Sequence, residues 1–267
     1  MDQVSKKIKM ISKRLSNLKK KFNLLGIDGY VIPQNDEFFS EYSKKDRLKI
    51  ISNFSGSAGY AVILKKENYL FVDGRYTIQA QLESGKFFKI LNLHQIINCN
   101  LFKNKILGID PEVFTSNQIK KFFLKKNKIK LIKNNLIDNV FKKKIYLSKP
   151  FFSLHENIVG ESYKNKIKKV SILIKKKSSD YLFISAPENV AWLLNIRGFD
   201  NPFSPIPNCR LLIDNKSNIF IISHQSSLKK LIKEKKIKKN QIIEPNNFNY
   251  FLNKLKKGKI IIDSKTC

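Results

Sequence analysis

The chain has 267 residues, with 52 lysines and arginines against 21 aspartates and glutamates, for a formal net charge of +31. At 42% hydrophobic residues it can bury more than one core, and about two domains are expected at this length. No apolar run approaches the ~18 residues that span a bilayer, and the lysine-rich N-terminus lacks the apolar centre of a secretory signal.

The charge raises the question of nucleic acid. Only Arg14, Arg47, Arg75, Arg197 and Arg210 are arginine, whereas phosphate and base recognition favours the bidentate guanidinium. The lysines run along the whole chain among isoleucine and asparagine, a compositional bias more than a localised binding face. Specific nucleic-acid binding is therefore not expected, although weak, salt-sensitive association with polyanions is. Cys99, Cys209 and Cys267 are odd in number, far apart and without CxxC spacing, which points to reduced thiols in a cytoplasmic chain.

In chain order, Ile8, Ile11, Leu15, Leu18, Phe22 and Leu25 recur at spacings of three and four, an amphipathic helix that Gly26 stops. Strand 29–32 follows and ends at Pro33. Asp36, Glu37, Glu41 and Asp46 then cluster. With no histidine among them they read as acids of a solvated connecting helix paired with lysines, in preference to a metal site. Tyr60 to Leu64 and Tyr69 to Val72 flank a polar turn and form a hairpin, fed by a loop holding Gly56 and Gly59. A helix from Arg75 to about Ser84, strands over 87–93, 105–109 and 128–132, helices over 94–100 and 116–123, and a short helical or extended stretch over 136–141 complete an α/β pattern with a mixed sheet.

Lysines, Pro150 and aromatic residues over 142–153 mark a boundary. Beyond it come helix 161–177, strand 181–185, helix 186–194, an irregular proline-rich loop 195–207 and a hairpin of strands 210–213 and 218–222. Helix 226–233, strand 241–243, helix 248–255 and strand 259–262 close the chain. The halves share this order of elements. Asp28-Gly-Tyr-Val-Ile echoes Asp180-Tyr-Leu-Phe-Ile, and Lys65-Lys-Glu-Asn68 takes the place of Asn215-Lys-Ser-Asn218, which together indicate a duplication.

Gly29-Tyr-Val-Ile-Pro33, Ser40-Glu-Tyr42, Arg47, Phe54-Ser-Gly-Ser-Ala-Gly59, Asp73-Gly-Arg-Tyr76 and Gln79-Ala80, in this order and spacing, resemble the N-terminal domain of the Xaa-Pro aminopeptidases (creatinase/prolidase superfamily). The resemblance implies an α/β fold of two similar creatinase N-terminal-type domains, each a mixed sheet flanked by helices, at 1–148 and 149–267. It also implies that the C-terminal "pita-bread" catalytic domain is missing. In the family that domain holds two divalent metals, usually manganese, through two Asp, one His and two Glu. The chain itself would then hold no metal or other cofactor and be inactive alone. Its partners would be a catalytic domain, in cis or as a separate chain, proline-second peptides and a further copy in a homo-oligomer.

Candidate site residues follow from both readings. His94, His155 and His224 have no metal-type spacing. Gly56-Ser57-Ala58-Gly59 falls short of a GxSxG elbow and precedes a strand, so Ser57 reads as a loop residue. Arg75, after Asp73-Gly74, is expected in a buried Arg–carboxylate pair that fixes the domain's geometry, with Arg47, Gly56 and Gly59 as further motif residues. Arg197, Asp200 and Asn201 lie in a loop that the resemblance puts beside a substrate channel. A functional role there and simple loop packing are both open. The rival functions are a non-enzymatic module that binds a separate catalytic subunit and a weak polyanion-binding protein.

Overall fold

The computed structural model describes residues 3–97, 99–140, 149–255 and 258–267. The chain divides into two compact units, Met1–Ile145 and Tyr146–Cys267. The expected boundary at 148/149 adjoins residues 141–148, which lie outside the described residues.

Helix α1 (Gln3–Leu24) opens the first unit, and Gly26 ends it with φ at +56°, a conformation that costs a residue with Cβ. Strands β1 (Gly29–Pro33), β2 (Gly59–Leu64) and β3 (Asn68–Val72) carry no charged residue and, beyond Asn68 at the start of β3, are almost wholly buried. Successive side chains of a strand point to opposite faces, so a sheet covered on both sides needs no polar alternation. Thus Tyr30, Ile32, Ala61, Ile63, Leu70 and Val72 join one core, with Leu15, Leu18 and Phe22 of α1. Val31, Val62, Tyr69 and Phe71 join another, with Phe102, Phe114 and Phe123.

Helix α2 (Arg47–Ser52) precedes the β2–β3 hairpin, and α3 (Thr77–Ser84) follows it. Then come β4 (Lys89–Asn92), β5 (Ile106–Ile109), α4 (Ser116–Ile119), β6 (Lys128–Leu131) and α5 (Leu136–Val140). The sheet order is β4-β3-β2-β1-β5-β6. β1 runs antiparallel to β2 and parallel to β5, and β5 runs parallel to β6. The expected helix through the acidic stretch does not form: between β1 and α2 the chain is loop and turn. Asp36 is buried and accepts from the backbone N–H groups of Phe38 (2.9 Å) and Ser40 (3.1 Å), while Asp46 caps α2 by accepting from Lys49 N at 2.8 Å. Short acids that satisfy nearby N–H groups favour turns and caps over helix interiors.

The second unit repeats the design. It begins with β7 (Phe152–Ser153), α6 (Glu156–Val159) and α7 (Tyr163–Lys176). β8 (Tyr181–Ile184), α8 (Pro187–Leu194), β9 (Ile196–Arg197), β10 (Arg210–Asp214) and β11 (Ile219–Ile222) follow. α9 (Gln225–Lys233), β12 (Ile242–Ile243), α10 (Phe248–Lys254) and β13 (Ile260–Ile262) complete it. The main sheet is ordered β12-β11-β10-β8-β13, and β7 and β9 form a separate antiparallel pair.

The duplication extends to single hydrogen bonds. Asp28 donates its N–H to Ile106 O (2.8 Å) and accepts from Ile106 N on Oδ2 (2.9 Å). Asp180 does the same with Lys259, at 2.9 Å and 2.8 Å. Lys65 and Asn215 donate in turn to the carbonyls of these two aspartates. Among the described residues no helix is long and apolar enough to cross a membrane.

Candidate functional site

In the first unit the charged motif converges on Arg47, at the start of α2 and 4% exposed. Its guanidinium forks onto Asp138 of α5, with Nε to Oδ1 at 2.9 Å and Nη2 to Oδ2 at 2.8 Å, and Nη1 reaches Glu37 Oε2 at 3.4 Å. Burial alone would lower the Arg47 pKa. The bonds to Asp138 and the charge of Glu37 outweigh it and raise the pKa above its ordinary value. Burial also opposes ionisation of Glu37, yet Lys45 first and then Arg47 hold its pKa down at about 2. Nearby Asp110, buried at the end of β5, accepts from Glu112 N (2.9 Å) and Asn135 Nδ2 (2.8 Å), and burial raises its pKa.

The expected buried pair at Arg75 is corrected by these positions. Asp73 Oδ1 accepts from Arg75 Nε at 2.9 Å and from Arg75 N at 3.0 Å, but the Arg75 side chain is 75% exposed. Asp73 caps the turn that follows β3, outside the sheet, so the pair closes a surface turn. The buried pair that ties the unit together is Arg47–Asp138, whose partners lie 91 positions apart.

Ser57 donates to Glu41 Oε1 at 3.0 Å and lies 3.1 Å from Tyr76 Oη, a surface hydroxyl cluster with no histidine beside it. A base within hydrogen-bond reach would be needed to activate Ser57 as a nucleophile. A Cβ on Gly56 would stand 2.3 Å from the Phe54 ring, and one on Gly59 would stand 2.9 Å from Phe71 O. Gly56 thus lets the loop pass against the Phe54 and Tyr76 rings, and Gly59 lets it meet β3.

In the second unit, Asn195 adopts a left-handed conformation to end α8 (φ 52°) and opens the irregular loop. Arg197 spends Nη1 on the carbonyls of Ile196 (2.9 Å) and Ala191 (3.3 Å). Asp200 is buried, with Oδ2 accepting from Asn208 N at 2.7 Å, and Asn201 is buried as well. Gly198 N donates to Pro205 O at 3.1 Å and closes the loop on itself. Arg197 and Asp200 thus bond backbone groups in and beside the loop, and its exposed side chains are aromatic: Phe199, stacked on Phe152 at 5.4 Å, and Phe203, 79% exposed.

Beneath the loop, buried Lys166 donates to Asn195 Oδ1 (2.8 Å) and Trp192 O (2.9 Å), with its ammonium 4.1 Å from the centroid of the half-exposed Trp192 ring. Burial lowers its pKa. No sequence pattern marked Lys166, Trp192 or Asp138. Asp138 is an acid in the first turn of a five-residue helix, and only the tertiary fold pairs it with Arg47.

Among the described residues, no group of three or more His, Cys, Asp or Glu could hold a metal ion. His155 Nδ1 lies 2.8 Å from Asn157 Oδ1, and His224 Nδ1 lies 3.0 Å from Glu244 Oε2, both at the surface.

Comparisons with known proteins agree with this geometry. Sequence models of the creatinase/prolidase N-terminal domain match residues 14–135 and, separately, 142–267. A protein of Coprinopsis cinerea named "Probable Xaa-Pro aminopeptidase P" is 34% identical over 73% of this chain and 34% of its own length. The Xaa-Pro aminopeptidase 1 of Dictyostelium discoideum is 30% identical over 94% of this chain and 44% of its own. The X-prolyl aminopeptidase of Caenorhabditis elegans, described as a cytosolic enzyme with a di-nuclear active site, has the same fold (TM-score 0.81, 23% identity). The match covers 91% of this chain and 43% of that one. The chain thus spans less than half the length of these relatives. With two consecutive matches covering nearly all of it, the chain belongs to the creatinase/prolidase N-terminal domain family and carries two such domains.

Proposed function

We propose that this chain serves as the non-catalytic, two-domain portion of a metal-dependent Xaa-Pro aminopeptidase, which releases an N-terminal residue that precedes proline. The observation that carries the reading is the tandem match, one N-terminal domain after another, in a chain whose relatives bear that enzyme's name. The family's chemistry needs two divalent metals to activate water and stabilise the tetrahedral intermediate. The acids described here do not fit that task. Asp36, Asp46, Asp73 and Asp110 cap backbone N–H groups, while Glu37 and Asp138 neutralise Arg47. The work left to these residues is positional: a rigid frame around Arg47 and a shaped loop around Asp200. In an assembled enzyme they would limit substrate access and form subunit contacts. A cytoplasmic setting accords with the cytosolic C. elegans relative.

The test is direct. The purified, manganese-loaded chain is expected to release no first residue from an X-Pro peptide, and measurable turnover would overturn the reading. Adding a pita-bread catalytic domain of the family is expected to produce proline-dependent release that rises with the concentration of this chain. A second reading, an interaction module for a separately encoded catalytic subunit, is favoured by the exposed Trp192, Phe199 and Phe203. Stable co-elution with that subunit, without any gain in turnover, would favour it.

A further inference from the structure

The second unit has a cavity of about 330 Å³ lined by Tyr163 and Lys164 of α7, Ser217 at the β10–β11 turn, and Lys235, Lys236 and Lys238 after α9. Three separate segments therefore bring Lys164, Lys235, Lys238 and Ser217 to one recess that Ile167 and Ile219 also line, while the Tyr163 hydroxyl is taken by Lys236 O at 3.3 Å. Among the described residues, Lys164, Lys235 and Lys238 are not within ion-pair distance of any carboxylate. The nearest cationic support is structural: Lys236 Nζ is held by Asn195 O at 3.0 Å and lies 5.0 Å from the centroid of the Tyr163 ring. Burial pushes the Lys236 pKa down to about 8. Glu234 and Glu156 work against that shift, and Lys166 adds to it. The charge on Lys236 is thus incompletely compensated.

Part of this arrangement has an ordinary explanation. Lys235 and Lys236 follow the last turn of α9, where a helix's unpaired carbonyls attract cations. That does not account for Lys164, which arrives from the first turn of α7, or for Lys238, beyond the buried Ile237. The left-handed residues beside the recess have local causes: Lys235 (φ 55°) ends α9, with Lys235 N donating to Ile232 O and Lys236 N to Leu231 O, and Ser217 (φ 70°) belongs to the β10–β11 turn, donating to Asp214 O.

We infer that this recess is a binding site for a compact phosphate-bearing anion, a di- or triphosphate group of a small molecule. The volume lies at the small end of ligand sites and is far short of a nucleic-acid groove. Lysines act as point charges that follow a rotating phosphoryl group, which suits a short oligophosphate. The inference concerns the second unit alone and stands whether or not the chain works in an aminopeptidase.

Titration calorimetry of the full chain with inorganic pyrophosphate and tripolyphosphate, at low and moderate salt, tests it. Saturable binding at one site per chain is expected. Removing two of the charges together (Lys164→Gln with Lys238→Gln) is expected to weaken it roughly tenfold or more, as loss of charge-assisted bonds does. The control pair Lys66→Gln with Lys128→Gln removes the same charge from exposed positions of the first unit and is expected to change affinity by less than about twofold. Circular dichroism verifies that every variant is folded. Non-saturating uptake, equal weakening in both double variants, or tighter binding of single-stranded RNA by the same lysines would overturn the proposal.

Discussion

Ile109 in the first unit and Ile262 in the second hold the same register position. Each stands at the third paired position of a parallel partner strand, opposite Val31 of β1 and Phe183 of β8 respectively. Ile109 is fully buried, whereas Ile262 is 56% exposed. In the first unit β6 pairs with the outer edge of β5, and Asn135 bonds to Asp110. In the second, β13 is itself the edge, flanked by an apolar groove of about 320 Å³ lined by Phe183, Trp192 and Ile262. The cores differ likewise: among the described residues, the cluster on the second face holds thirteen buried residues in the first unit and three in the second. One blueprint, used twice, thus yields a sheet buried on both faces and a sheet with a thin face and an open edge. Stability belongs to the first and accessible surface to the second.

The largest expected effects test the first half of that contrast. Arg47→Ala leaves the partly buried Asp138 without its cation, while Glu37 keeps Lys45, and is expected to cost about 2–3 kcal/mol. The corresponding loss at Arg197, which bonds only carbonyls, is expected to be about 1 kcal/mol. The sole tryptophan, Trp192, sits in the second unit, so its fluorescence and far-ultraviolet dichroism separate the two transitions in urea. An Arg47→Ala variant that shifts both midpoints equally would break the comparison.

Ile109→Ala is expected to cost about 2–4 kcal/mol through lost burial and a residual cavity, and Ile262→Ala less than about 1 kcal/mol. Chemical denaturation of the two variants measures both, and equal losses would mean that β13 is covered in solution.

Acid sharpens the comparison further. Glu37 has a depressed pKa, so its contribution is present above its unfolded value of 4.5 and is lost as pH falls toward about 2. Asp46 and Asp110, raised by burial, have the opposite sign: the strain of ionising them eases as pH falls through their raised values. Glu37→Gln is therefore expected to flatten the first unit's acid unfolding curve while leaving the Trp192 transition where it was. The smallest effect is expected at exposed Arg75, where Arg75→Ala should leave the melting curve unchanged.

Much of this was legible in the sequence because it rests on local chemistry. The hairpins, the strand echoes at Asp28 and Asp180, and the glycines beside Phe54 and Phe71 follow from residue type and spacing. What was not legible depends on distant partners. Arg47 finds Asp138 across 91 positions, and no periodicity announces that choice. The acids from Asp36 to Asp46 looked like a helix face because charge spacing alone does not show that Asp36 and Asp46 are taken by N–H groups two to four residues away, Glu37 by Lys45 and Arg47, and Glu41 by Ser57. The pairing of β7 with β9, two residues each, is too short to leave a pattern. For the loop from Asn195 to Pro207 the sequence left a functional role and simple packing both open, and the fold buries Asp200 and Asn201 while exposing Phe199 and Phe203.

The aspartate clamps on Ile106 and Lys259 have a consequence for how the protein is made. Each spans 78 or 79 positions, so during synthesis each central strand waits for a neighbour that emerges much later. The intervening hairpin can close at once, because its contacts are local. Until the late strand arrives, a flank of isoleucine and leucine stands bare, which is the state from which nascent chains aggregate. Lysines abut these strands at Lys65, Lys66, Lys105 and Lys259. Like charges beside an unpaired edge oppose its pairing with another chain.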